Sequence, residues 1–211
     1  MPWFPFNGGY IFAEDPACEA HQARILWHRA IDPGTLSVVA TPADPGDPEA
    51  IPWDRIAPWL VSVTGGDGRE HAVLSDGWRR IRLDVEQGSL TGHPAVLLDF
   101  AMRGIATSEA RVMPLRRLIT LCRHGRFARS LFPPEPRMDR WLTMLRVHDA
   151  LMDGASQREI AMVLFGEDRV RAARDQGNDS LRSRTRRLAR DALAMAAGGY
   201  RRLLRRGDRP G

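Results

Sequence analysis

The sequence has no lysine, only two cysteines in 211 residues, and no continuous apolar run approaching the 18 or more residues of a membrane-spanning helix. Its first residues, Met1-Pro-Trp-Phe-Pro-Phe6, lack the charged start and apolar middle of a signal peptide. A cytoplasmic location is the expectation. Cys18 and Cys122 are too few and too far apart for a disulfide framework, and cytosolic thiols stay reduced. Grouping Cys18 and His21 with Cys122 and His124 matches no zinc-site spacing, so no metal is expected. Also missing are a P-loop, a Gly-x-Gly-x-x-Gly after a strand, a Gly-x-Ser-x-Gly and a His-Glu-x-x-His. The six histidines (His21, His28, His71, His93, His124 and His148) are scattered. A lone His148 on an apolar helix face reads as a core residue. These absences exclude the familiar enzyme classes, and the chain is expected to be no enzyme and to use no cofactor.

What remains is charge, unevenly spread. All 31 basic residues are arginine, as a GC-rich coding sequence would give, so arginine identity alone says nothing about base reading. Residues 1–110 carry 8 Arg against 15 Asp and Glu, a net of −7; residues 111–211 carry 23 against 11, a net of +12. A positive half attracts polyanions, and nucleic acid is the commonest polyanion in a cell.

The pattern of elements changes with the charge. Up to Arg103 the sequence reads as short extended segments: Ile25–Arg29, Thr35–Ala40, Leu60–Val63, His71–Leu74, Trp78–Val85 and Val96–Met102. Between them lie turn signals such as Asp32-Pro-Gly, Asp44-Pro-Gly-Asp-Pro, Gly65-Gly-Asp-Gly and Asp76-Gly77. A short helix, Ala17–Gln22, precedes them. Residues 1–108 are therefore expected to form a small antiparallel β-domain, a meander for partner contact or oligomerisation, with Trp53, Trp59 and Trp78 in its core. Residues 109–211 are expected to form an all-α domain, making the fold class α+β. Its first helix starts at a Ser108 cap and buries Leu115, Leu118, Ile119 and Cys122 before Gly125. Leu131-Phe-Pro-Pro-Glu-Pro136 reads as a linker. The next helix buries Met138, Trp141, Leu142, Leu145 and Met152, and stops at Gly154.

The third helix opens on a capping box, Ser156 with Glu159, and turns Ile160, Val163 and Leu164 inward. A polar stretch, Glu167–Asn178, reads as a long turn. Asp179 or Ser180 then caps a fourth helix that runs to Ala197, ahead of Gly198-Gly199 and a basic tail. On a wheel at about 100° per residue, Leu181, Thr185, Leu188, Ala192 and Met195 share an apolar face. Arg186, Arg190, Ser183 and Arg187 point the other way, with Arg182 and Arg184 on the flanks. No acid lies between residues 180 and 190, whereas a solvated helix face normally alternates signs in i, i+4 pairs. The apolar face is also too small for a membrane-bound helix, so no membrane partner is expected. An arginine face backed by a thin apolar stripe suits a helix lying in a DNA groove. The helix-turn-helix-like unit spans about 156–197. Gln157 and Arg158, at the start of the third helix, are placed to meet a backbone phosphate.

Leu115-Arg-Arg-Leu, Gly154-Ala-Ser-Gln-Arg-Glu-Ile-Ala161, Leu164-Phe-Gly166, Asp179-Ser-Leu-Arg-Ser-Arg-Thr-Arg-Arg-Leu188 and Gly198-Gly-Tyr-Arg-Arg-Leu-Leu204 together resemble the RovC-like DNA-binding domain family, domain of unknown function 2285. The resemblance covers roughly residues 110–206. Phe12-Ala-Glu-Asp-Pro and Leu26-Trp-His-Arg are similar to the region that often precedes it. Members carry an aromatic residue in the turn before the recognition helix, and Arg171-Ala-Ala-Arg-Asp-Gln-Gly has none. The resemblance implies a proteobacterial transcription regulator of secretion systems or mobile elements. Double-stranded DNA would meet Gln157, Arg158, Arg182, Ser183, Arg184, Arg186, Arg187 and Arg190, with Tyr200, Arg201 and Arg202 adding backbone contacts. Symmetric half-sites would require a homo-oligomer, and another regulator or RNA polymerase is a further partner. The competing reading is an antiactivator whose basic helix holds an acidic regulator.

Overall fold

The computed structural model describes the backbone of residues 9–11, 26–177 and 179–206 and the side chains of 26–177 and 179–203. The expected helix Ala17–Gln22, Cys18, His21 and Asn178 lie outside the described residues. The fold divides after Pro133 into a sheet unit and a helical unit, Pro134–Leu203.

In the sheet unit, β1 (Gly9–Ile11) pairs antiparallel with β2 (Leu26–Trp27). The main sheet has six strands, β3 (Leu36–Pro42), β4 (Ile51–Pro52), β5 (Leu60–Thr64), β6 (Glu70–Ser75), β7 (Arg80–Gln87) and β8 (Ala95–Phe100), ordered β4-β8-β3-β7-β6-β5. The breaks between strands follow the turn chemistry of the sequence. Asp44 Oδ1 accepts from Gly46 N at 2.7 Å and Asp76 Oδ1 from Arg79 N at 2.7 Å, the side-chain-to-backbone bonds that make Asp a turn residue. β5, β6 and β7 form the expected antiparallel meander. The sheet as a whole is mixed, because β3 inserts between β7 and β8, parallel to the first and antiparallel to the second.

Period-two alternation sends Leu36, Val38 and Ala40 of β3, Ala72 and Leu74 of β6, and Ile81, Leu83 and Val85 of β7 into one core. Helix α1 (Trp53–Ile56) adds Ile56, and α2 (Ile105–His124) adds Leu118 and Leu121. Burying each of these leucines stabilises by about 1.5–3 kcal/mol. α2 begins three residues before Ser108, with Gly104 as its N-cap. Its buried side carries Pro114, Leu118 and Leu121, with Leu115 and Cys122 half-buried, and leaves Ile119 exposed. Burial pushes the Cys122 thiol up to about 12, which keeps it protonated and unreactive. α2 therefore belongs to the sheet unit and completes its core. Trp53 and Trp59 pack against this core, whereas Trp78, expected inside, is 77% exposed. It belongs to the Asp76 turn, where Asp76 Oδ1 accepts its backbone N–H at 3.0 Å.

The helical unit contains α3 (Met138–Met152), α4 (Gln157–Phe165), α5 (Glu167–Asp175) and α6 (Ser180–Ala194). Its core is Met144 and Val147 of α3, Ile160 of α4, and Ala189 and Ala192 of α6. Trp141 packs beside them as expected, but Met138, Leu142, Leu145 and Met152 are exposed. Two apolar stripes coexist on α3, and the one bearing Met144 and Val147 meets α6. In α4, Ile160 and Ala161 are buried, Leu164 is half-buried and Val163 points outward.

The expected long turn at Glu167–Asn178 is largely helix α5. It has few apolar residues to reveal a periodicity, yet its ends carry helix chemistry. Glu167 and Asp168 lie in the first turn and Arg174 in the last, as the helix dipole favours. Glu167 and Arg171 pair at 2.6 Å across one turn. Gly166, at φ 86°, ends α4 and opens α5, and Gly177, at φ 65°, follows α5.

Candidate nucleic-acid interface

α6 positions the arginines. Its inner side is Thr185, Ala189 and Ala192, all buried, with Leu181, Leu188 and Met195 half-buried beside them. Small residues let α6 approach α3 and α4 closely, and the Thr185 hydroxyl, buried in that contact, donates to Leu181 O at 2.9 Å. Arg186, Arg187 and Arg190 are exposed on the opposite side, with Ser183 half-exposed among them.

The first acid after the arginine run is Asp191, and it is engaged twice. Its Oδ2 accepts from Arg140 Nη2 of α3 at 3.1 Å and its Oδ1 from Arg190 Nη2 at 3.2 Å. Arg190 is thus partly neutralised, while Arg186 and Arg187 have no acidic partner among the described residues.

The flanking arginines lead into two grooves on either side of α6. On one side, Arg184 lies 5.1 Å from the centre of the Phe165 ring, an attraction between cation and ring quadrupole. There a cavity of about 650 Å³ is lined by Arg140, Phe165, Arg184, Arg187 and Asp191 among others. On the other side, Arg182 shares a cavity of about 540 Å³ with Gln157 and Arg158 of α4 and with Arg174 of α5. Arg140, Phe165 and Arg174 were not among the residues expected at the site. Arg174 lies on the helix that replaces the expected turn, and the sequence signal for that helix is its acidic start and its i, i+4 pair.

The capping box at Ser156 is formed in full. Glu159 N donates to Ser156 Oγ at 3.3 Å, and Ser156 N donates to Glu159 Oε2 at 2.8 Å. Bonds from the Ser156 side chain and backbone hold the Glu159 carboxyl below its ordinary value. The start of α4 is therefore already served by a carboxylate, and the side chains of Gln157 and Arg158 stand exposed beside it. Beyond α6 the chain widens through Met195–Gly199 and breaks at Gly198, φ 115°, before α7 (Arg201–Arg206). Tyr200 and Arg201 are half-buried, and Arg202 is exposed.

Residues 102–205 match the family described as the DNA-binding domain of a T6SS transcription factor, RovC. This chain carries a RovC-like DNA-binding domain. The RovC-like domain spans α2 as well as the helical unit, so its first helix is the one packed on the sheet. Its DNA-binding character accords with the arginine face of α6, and no helix among the described residues is long and apolar enough to cross a membrane. No curated protein matches the chain.

Proposed function

We propose that the chain is a cytoplasmic, non-enzymatic transcriptional regulator that binds duplex DNA through a helix-turn-helix-like unit and controls genes of a secretion system or mobile element. α4 and α6 form the unit, with α5 filling the connection between them. The reading rests chiefly on one observation: Arg186 and Arg187 stand exposed on the side of α6 opposite its buried stripe, without acidic partners among the described residues. In this reading Arg186, Arg187, Arg190 and Ser183 face the duplex. Arg182, Arg184, Gln157, Arg158, Arg201 and Arg202 reach the phosphates on either side, and Tyr200 braces the start of the tail.

Each arginine–phosphate contact releases about one counterion, so the logarithm of affinity falls with the logarithm of salt by about 0.9 per contact. Arg186→Ala with Arg187→Ala is expected to weaken binding to a promoter fragment and to lower the magnitude of the salt slope by about two units. Fluorescence anisotropy over a salt series measures both. An unchanged slope would remove α6 from the interface. Binding to an acidic protein with no DNA affinity even at low salt would favour the antiactivator reading instead.

Asp191 supplies a test of opposite sign. Asp191→Asn removes a carboxylate that holds Arg140 and Arg190 and that repels phosphate. The same titration is expected to show tighter DNA binding, by about two- to fivefold, because an exposed ion pair is worth under about 1 kcal/mol. Affinity lower than that of the unaltered chain would show that Asp191 orients Arg190 for binding.

A further inference from the structure

The outer side of α2 carries a pattern that neither the sheet core nor the arginine face uses. Ile105, Val112 and Ile119 recur every seven residues and are 92%, 58% and 39% exposed, while the opposite side of the helix is buried on the sheet. Glu109 and Arg116 fall between them at the intervening helical steps, both exposed. Neither side chain has an ion-pair or hydrogen-bond partner among the described residues. The spacing of 4, 3, 4 and 3 residues places all five on one narrow stripe.

We infer that this stripe is a homodimer seam, on which the α2 helices of two copies pack antiparallel about a two-fold axis at Val112. The stripe is complementary to itself in that arrangement and not in the parallel one. Reversal about Val112 sets Ile105 against the partner's Ile119, Val112 against the partner's Val112, and Ile119 against the partner's Ile105. It also sets Glu109 beside the partner's Arg116, and Arg116 beside the partner's Glu109. The symmetry therefore makes two ion pairs and three apolar layers along about 21 Å of helix. A parallel pairing would instead put Glu109 on Glu109 and Arg116 on Arg116, opposing like charges in the seam. A lipid surface is a poorer fit, since an interfacial helix carries Lys or Arg along its polar face with bulkier apolar residues opposite. The seam lies in the sheet unit, and its existence does not depend on what α6 binds.

The test is the mass of the full chain in solution, followed by sedimentation over a concentration series. The unaltered chain is expected to self-associate reversibly. Val112→Glu, which places two carboxylates on the axis, is expected to weaken the dimer by about a hundredfold or more. Glu109→Arg and Arg116→Glu, each leaving only like charges across the seam, are expected to weaken it about tenfold. All three positions are exposed, and circular dichroism confirms that the variants fold. The decisive experiment mixes the two charge variants one to one. The arginine introduced at position 109 of one chain then meets the glutamate introduced at position 116 of the other. The native Arg116 of the first chain meets the native Glu109 of the second, so a heterodimer of near-native affinity should form. A larger native assembly that loses a two-fold step in each single variant, and regains it in the mixture, supports the seam equally. A chain that is monomeric throughout, association unchanged by all three variants, or a mixture no tighter than its components overturns the proposal.

Discussion

Replacing Gly88 with alanine is expected to unfold the sheet unit at temperatures where the unaltered chain is intact. Gly88 follows the last residue of β7, where the pairing with β3 shifts register beyond Val38. Its φ is 80°, a conformation that costs a residue with a Cβ about 1–2 kcal/mol. The added carbon would also overlap the carbonyl oxygen of Ala40 and lie 2.9 Å from its carbonyl carbon. Ala40 sits on the buried middle strand, paired to Leu98 of β8, so its backbone has little room to retreat. The combined cost is expected to be about 2–5 kcal/mol. Gly92 provides the control: its φ is 83°, yet nothing lies within 4 Å of the Cβ it lacks. Gly92→Ala should therefore cost only the conformational part. Urea denaturation of the two variants separates them, and equal midpoints would show that the close approach to Ala40 carries no energy.

The clarity of the sequence tracks the distance over which each feature is decided. The six anticipated strands all form because alternation and turn residues act within a few positions. The capping box at Ser156 is legible for the same reason, being made by residues three apart. The burial of α3 was not legible. Met138, Leu142 and Leu145 form as good a stripe as Met144, Val147 and Leu151, and which one faces inward depends on where α6 arrives. α5 shows no apolar periodicity because charge supports it locally more than burial does. The parallel pairing of β3 with β7 also lies beyond local reading, since it depends on a strand inserting between two others.

The arginine face of α6 shows the same division. The exposure of Arg186 and Arg187 followed from the wheel, because a single helix fixes which side chains oppose its apolar stripe. The arrangement around that face did not follow. The hold of Asp191 on Arg140 brings in a residue from another helix, and Arg184 over Phe165 joins the end of α4 to the start of α6. Asp191 makes this face less uniformly cationic than a count of arginines suggests, whereas Phe165 fixes the place of the Arg184 charge without neutralising it.

The second large effect is expected at Asp84. β7 reads Arg-Ile-Arg-Leu-Asp-Val-Glu-Gln, an alternation that promises solvent for its charged side, yet Arg82 and Asp84 are both buried. Arg82 Nη2 donates to Asp84 Oδ1 at 3.1 Å and to Trp27 O at 2.8 Å, and its Nη1 donates to Ala72 O at 2.6 Å. His71, directly across the strand pair from Asp84, approaches the same oxygen through Nδ1 at 2.8 Å. Arg82 thus ties β7 to β2 and β6, with Asp84 as the neighbouring countercharge. Asp84→Ala would take the Asp84 countercharge from a buried guanidinium, at a cost of about 3–5 kcal/mol. Arg82→Met would leave the carboxylate its His71 contact but take away its guanidinium partner, and would remove donors from two buried carbonyls. If the two charges stabilise each other, the double variant should be more stable than the two single losses predict. The coupling expected from a double-mutant cycle is about 1–3 kcal/mol. Additive losses would show instead that the buried network is held by its hydrogen bonds to backbone rather than by the ion pair, and that Asp84 serves chiefly to orient His71.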